Sequence, residues 1–291
     1  MTNIERRDLL LHLQFGQILS NNQICQWLQH DPEFNFWRRI RPPFWPPGMK
    51  MTAQQHSRLL AYHHSLSSVD LLEKLEKQNI SILTILDTNY PTHLKEIYDP
   101  PVILYAKGDL TKLESSHFLA VVGARKSNDY THYSLNLVIP ALLVHNICIV
   151  SGMAVGADGE AHKIAMSGNT IGVLGGGFDH LYPKTHAKLY HEMIKHQLLL
   201  SEYPPHINPQ KYYFPMRNRI IAGLSRGVLI TQAAIRSGSM ITVDRALEEG
   251  RDIFAIPGPI HDELSQGTNE LIKHGAKLVA HPKDILEEWG L

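Results

Sequence analysis

From Ile80 onward the chain repeats one pattern: a short, strongly apolar run, a turn rich in glycine and small polar residues, then a longer stretch with helical spacing. The clearest runs are Phe118 to Val122, Ile147 to Ser151, Thr170 to Leu174, Leu198 to Ser201, Val228 to Thr231 and Asp252 to Ile256. Helical stretches are expected near 130–145, 157–168, 185–196, 216–225, 239–250 and 267–274. Parallel strands cannot be joined by a tight hairpin, and each needs a crossover long enough to hold a helix. The pattern therefore predicts an α/β fold, a mostly parallel sheet with helices on both faces. Lys277 to Val279 is expected to add an edge strand, and PKDILEEWGL a terminal helix.

The first part of the chain differs. Up to about Asp70, apolar residues such as Leu9, Leu10, Leu13, Ile18, Ile24, Trp27 and Leu28 recur at helical spacing, with no alternating strand. A small helical bundle is expected, giving one domain over 1–78 and a second over 79–291. Within the bundle, Arg41 to Lys50 (RPPFWPPGMK) is read as a stiff loop packed by Phe44 and Trp45, because its prolines remove donors and fix φ.

Composition excludes several classes. With 43% hydrophobic and 19% charged residues, neither a disordered polymer nor a coiled-coil rod is expected. The 28 Lys+Arg balance 28 Asp+Glu, so any nucleic-acid function needs a local patch. Cys25 and Cys148 are too few for a zinc cluster or a disulfide framework. No apolar run approaches the ~18 residues that span a bilayer, and a cytoplasmic protein without membrane attachment is expected. His186, His191 and His196 recur every five residues, a step of about 500° that puts them on no common helix face. No H-E-x-x-H is present, and no metal is expected.

In an open parallel sheet, ligands bind beyond the carboxyl ends of the strands. Here those ends carry GARKSNDY (Gly123 to Tyr130), SGMAVGADGEAH (Ser151 to His162) and GGGFDHLYP (Gly175 to Pro183). Glycine lets backbone N–H groups approach an anion, and the dipole of the following helix favours negative charge there. Arg125 stands two residues past its strand, where a guanidinium can fork onto phosphate oxygens. A second cluster runs from Tyr212 to Ile230. Arg217 and Arg219 flank Asn218 in a first helical turn, where cations oppose the macrodipole and a bound anion would explain them. Tyr212, Tyr213 and Phe214 just upstream offer faces for unpaired bases. In a third segment, Ser237, Gly238 and Ser239 precede an amphipathic helix as cap or ligand contact.

Other signals fail on context. GLSRG (Gly223 to Gly227) matches a nucleophile elbow, but a helix precedes Ser225 and a strand follows it, the reverse of what the elbow requires. Neither a P-loop nor G-x-G-x-x-G spacing occurs. Asp158, Glu160 and His162 have no evident nucleophile or metal beside them, and structural hydrogen bonding is the preferred reading.

VVGARKSNDY, SGMAVGADGEAH, TIGVLGGGFDHLYP, LLLSEYPP, FPMRNRIIAGLS, SGSMITVDRALEEGRDIFAIPG and GTNELIKHGA stand in the order seen in the DNA-processing protein A family, also called Smf, which the chain resembles over about residues 80 to 280. The resemblance implies an extended Rossmann-like domain behind a helical, SAM-like one. It implies a single-stranded DNA-binding protein that dimerises, protects incoming strands and loads the RecA recombinase during natural transformation, with no cofactor and no catalytic residue. Carried over, the DNA-binding positions are Gly123, Arg125, Ser151, Gly152, Ala154, Phe214, Arg217, Asn218 and Arg219, with Ser237, Gly238 and Ser239 beside them. Dimer contacts are implied for Leu271, Ile272 and Leu278, and the end at Leu291 leaves no room for the winged helix that some members append. The chain departs from the family with Gly156-Ala157-Asp158 for G-I-D and Thr231-Gln232-Ala233 for V-E-A. The rival reading is an enzyme like the nucleoside-monophosphate phosphoribohydrolases. Their P-G-G-x-G-T loop is absent, the nearest stretch being SGSMITVD.

Overall fold

The computed structural model describes residues 3–35, 48–65 and 68–291. Its contacts divide the chain into two units, Met1–Tyr90 with Tyr98–Tyr105, and Pro91–Ile97 with Ala106–Leu291.

In the first unit, helices α1 (Asn3–Phe15), α2 (Asn21–His30), α3 (Ala53–Ser65) and α4 (Ser68–Lys77) precede the strand β1 (Ser81–Thr84). A capping box sets the start of α2: Gln23 N–H donates to Ser20 Oγ at 3.3 Å, and Ser20 N–H donates to Gln23 Oε1 at 2.9 Å. Leu10, Leu13, Ile24, Trp27 and Leu59 are fully buried together with Phe34, whose ring lies 5.7 Å from that of Trp27. The expected loop at Arg41 to Lys50 lies, through residue 47, outside the described residues. Strand β2 (Ile103–Gly108) begins in this unit, beside β1.

The second unit contains the expected parallel sheet. Its strands are β3 (His117–Val122), β4 (Ile147–Gly152), β5 (Thr170–Leu174), β6 (Leu198–Ser201), β7 (Gly227–Ile230), β8 (Asp252–Ala255) and β9 (Lys277–Leu278). They lie in the order β6-β5-β4-β3-β7-β8-β9, and every pairing in that series is parallel. The helices following α4 are α5 (Thr92–Lys95), α6 (Asp129–Val144), α7 (Ala157–Ala165), α8 (Ala187–His196), α9 (Tyr213–Leu224), α10 (Gly238–Glu248), α11 (Glu263–Lys273) and α12 (Lys283–Trp289). On one face Leu119, Val121, Ile149, Leu229 and Phe254 pack against Leu135, Val138 and Ile139 of α6, Ala161 and Ala165 of α7, and Ile285 and Trp289 of α12. Each of the larger side chains contributes about 1.5–3 kcal/mol by leaving water. α9 contacts β3, β4 and β5, α10 contacts β7 and β8, and the buried Ile220, Ile221 and Leu224 of α9 lie outside that cluster, covering the opposite face.

Topology places the site. β3 is central, and the chain moves outward from it through β4, β5 and β6 on one side and through β7, β8 and β9 on the other. Register aligns the strand ends: Val122 pairs with Ile230, and Gly152 with Val173. Between β3 and β7 the connections diverge, opening the crevice in which sheets of this class hold ligands. Among the described residues, no helix is long and apolar enough to cross a membrane.

Candidate nucleic-acid interface

A groove of ≈ 670 Å³ opens at that crevice. The turn after β3 contributes Gly123, Arg125 and Lys126, the loop after β4 contributes Ala154, and the first turn of α7 contributes Asp158. Phe214, Arg217 and Asn218 come from the first turns of α9, and Ser237, Gly238 and Ser239 from the start of α10. Nine of the twelve expected binding positions thus meet in one place: Gly123, Arg125, Ala154, Phe214, Arg217, Asn218, Ser237, Gly238 and Ser239. The structure does not bring Ser151, Gly152 or Arg219 to its lining. Ser151 is fully buried and donates to Val121 O at 2.6 Å, Gly152 closes β4 beneath the groove, and Arg219 is 7% exposed. Leu271 and Ile272 are half-buried on α11, and Leu278 is 43% exposed on the edge strand β9.

The cations differ in depth. Arg125 is exposed, with its guanidinium carbon 5.7 Å from the ring centroid of Phe214. Arg217 is buried: its Nη1 donates to Val173 O at 2.7 Å, its Nε donates to Asn218 Oδ1 at 3.1 Å, and the Asp158 carboxylate faces it. Burial holds the Arg217 pKa below its usual value, and Asp158 and Arg125 act in opposite senses on it. Asp158 is raised by its own burial, against the pull of Arg217 and Arg125. Arg219 forms a buried ion pair with Glu202. The two cations for which the sequence predicts a bound anion at the start of α9 therefore meet protein partners from other elements.

Backbone geometry makes room for this arrangement. A Cβ on Gly152 would overlap the Arg217 guanidinium and the Asp158 carboxylate. Gly156 has φ 81°, open to glycine, and a Cβ there would strike the carbonyl oxygens of Ala124 and Arg125. The turn that carries Arg125 therefore rests directly on the loop after β4.

The three aromatic residues part company as well. Phe214 lines the groove, with the Tyr182 ring 5.3 Å away. Tyr213 is half-buried against Tyr203 at 4.0 Å, and Tyr212 is 64% exposed with its ring 4.5 Å from Tyr213. Sequence reasoning missed Lys126, Lys211 and Tyr182, all lining the groove. The signals were adjacency to Arg125 for Lys126 and two residues of separation from Tyr213 for Lys211. Tyr182, Lys211 and Phe214 also border a second groove of ≈ 720 Å³ with His180, Lys184 and Asn208.

The remaining polar candidates are structural. His162 is fully buried, with Nδ1 2.7 Å from Thr170 Oγ1 and Nε2 2.8 Å from Gly152 O, and burial brings its pKa down to about 4. Glu160 pairs with Lys163 and His132. Gln232 accepts from Thr131 Oγ1 at 2.5 Å and donates to Asp262 Oδ2 at 3.2 Å. Ser225 ends α9, and β7 starts two residues later. Among the described residues, no group of three or more His, Cys, Asp or Glu is placed to hold a metal.

The chain is similar to known proteins over most of its length. The family model described as DNA recombination-mediator protein A matches residues 81–290. The DNA processing protein DprA of Bacillus subtilis is 39% identical over 277 residues, 94% of this chain and 92% of that protein. Its Streptococcus pneumoniae counterpart is 48% identical over 216 residues, 74% of this chain and 76% of the relative. The X-ray structure of DNA processing protein A from Streptococcus pneumoniae superposes with a TM-score of 0.84 at 39% identity, covering 99% of this chain and 98% of that one. DNA processing protein A from Helicobacter pylori, studied for its single-stranded DNA binding mode, superposes with a TM-score of 0.67 at 31% identity, covering 72% and 95%. A family model spanning most of the chain, a relative 39% identical over 92% of its length and a shared fold place the chain in the DNA recombination-mediator protein A family.

Proposed function

We propose that the chain binds single-stranded DNA in the groove at the β3/β7 crevice and acts as a recombination mediator on it, protecting an incoming strand and handing it to the RecA recombinase in natural transformation. The observation that carries the binding site is Arg125, an exposed guanidinium set beside the Phe214 ring at the mouth of a groove built from strand ends. Charge for the phosphates and a π-face for a base then stand side by side, the combination single-strand binders use. Phosphates are assigned to Arg125, Lys126 and Lys211 with the Gly123 turn and the start of α10, and a base to Phe214 and Tyr182. Contacts of this kind follow the backbone and discriminate weakly between sequences.

The chain is read as a mediator without a catalytic step of its own, working in the cytoplasm. A homodimer through Leu271, Ile272 and Leu278 would place two grooves on one strand and raise avidity through effective concentration. Leu278→Glu is expected to lower the sedimentation coefficient to that of a monomer.

Photo-crosslinking tests the binding site. A single strand carrying 4-thiothymidine is irradiated with the protein and the adducts are mapped. Adducts within 123–126, 182–184, 211–218 and 236–239 are expected, and adducts confined to other segments contradict the assignment. The mediator role is tested by RecA filament formation on strands coated with single-strand-binding protein. The chain is expected to shorten the lag, and an unchanged lag contradicts that role.

A further inference from the structure

One group in the groove is foreign to anion binding. Asp158, in the first turn of α7, lines the groove although only 8% of it is exposed, and its carboxylate lies with the Arg217 guanidinium against Gly152, while the charge of Arg125 also acts on it. Arg217, on the floor, is 6% exposed and tied to Val173 O and Asn218 Oδ1. At this depth a carboxylate or a guanidinium left alone carries the full cost of desolvation, and the two are tolerated as partners.

We infer that Asp158 and Arg217 are positioning residues that hold the loop after β4 in the form that presents Arg125 to the strand. The inference rests on reading the groove as the DNA site, and it gives Arg217 a task other than phosphate contact. A continuous series of contacts carries it. The Asp158 carboxylate and the Arg217 guanidinium close together on Gly152 at the end of β4, and Gly159 N–H donates to Ala154 O at 3.2 Å, which closes the loop onto the start of α7. Two residues beyond Ala154, Gly156 passes against the carbonyls of Ala124 and Arg125, and Ala157 N–H donates to Ala124 O at 3.2 Å. The turn bearing Arg125 therefore lies on the loop between Gly152 and Asp158, and the Arg217 guanidinium beside Asp158 is anchored on the end of β5.

Two roles for Asp158 predict opposite signs. As a mere negative charge in an anion groove, its removal strengthens DNA binding. As a positioning residue, its removal weakens binding although the groove becomes more positive.

The test is a double-mutant cycle on the full chain, with fluorescence anisotropy of a labelled oligothymidylate of about 20 nucleotides, longer than one groove can hold, across a salt series. The proteins are wild type, Asp158→Asn, Arg125→Ala and the double variant. Asp158→Asn is expected to weaken binding about tenfold in the wild-type background and less than about twofold where Arg125 is already Ala. All three variants are expected to lose the same phosphate contact, about 0.7 in the slope of log affinity against log salt. Tighter binding by Asp158→Asn, or an equal loss in both backgrounds, overturns the inference while the DNA site stands. Wild-type affinity and slope in Arg125→Ala overturn the DNA site itself, and the inference with it. Should Asp158→Asn unfold at the assay temperature, Asp158→Asn with Arg217→Gln, which removes both charges, takes its place. The same coupling to Arg125→Ala is then expected, and additive losses overturn the inference.

Discussion

Arg125 and Phe214, from the turn after β3 and the first turn of α9, meet as a cation over a ring at 5.7 Å. The contact joins the turn after β3 to the start of α9, which lies over the end of β5. It leaves the guanidinium exposed while setting it beside an apolar face, so charge and stacking surface reach a strand together.

Removing the ring separates those two contributions. Phe214→Ala is expected to weaken single-strand binding by about 1–3 kcal/mol, the usual worth of a stacked base, with the salt slope unchanged because no phosphate contact goes. Phe214→Tyr should retain most of the affinity. Anisotropy titrations at several salt concentrations measure both quantities, and a slope that falls with the ring contradicts the division of labour.

Arg219 is expected to behave as a structural residue. Its buried pair with Glu202 means that Glu202→Gln or Arg219→Met leaves a charge without its counter-ion, at about 3–5 kcal/mol of stability. Urea unfolding checks the loss. Any Arg219→Met protein that stays folded should keep the wild-type salt slope, and a slope reduced as far as in Arg125→Ala contradicts its assignment to the interior.

His162 gives the second unit an acid-side weakness. Its pKa is brought down to about 4 by burial, against the 6.5 of a solvated imidazole, so between these values the unfolded chain binds the extra proton and the folded one does not. Stability from this group is therefore complete above about pH 6.5 and is lost as pH falls toward 4, in total about 3 kcal/mol. Urea unfolding at pH 7.5 and pH 5 is expected to show the decline. His12, His117 and His186 are lowered by burial too, and His162→Gln isolates the part due to this residue. A variant with the wild-type pH dependence contradicts the assignment.

Most of the sheet was legible because parallel strands buried on both faces leave uninterrupted apolar runs, and Thr170 to Leu174 and Leu198 to Ser201 match the observed strands at both ends. α9 begins at Tyr213 rather than near 216, since Pro215 is tolerated in a first turn where its missing N–H has no intrahelical partner. β1, four residues long, and β2 gave no comparable signal beside the prolines that separate them. Within the site, turn residues such as Gly123 and Arg125 were legible because strand ends mark the rim. The depth of Arg217 and Arg219 was not, because the groups that bury and neutralise them, Val173 O, Asp158 and Glu202, arrive from other strands and loops. Local order along the chain reveals a cation, and only the fold reveals whether its counter-ion is a phosphate or a neighbouring carboxylate.

The proposed site lays one nucleic-acid strand across the β3/β7 crevice, held through its phosphates by Arg125 and its neighbours. Its most direct test compares a labelled single strand of about 20 nucleotides with the matching duplex in anisotropy titrations over a salt series. Preference for the single strand is expected, with log affinity falling by about 0.7 per phosphate neutralised for about three to five phosphates. Equal affinity for the duplex, or an affinity indifferent to salt, contradicts the claim.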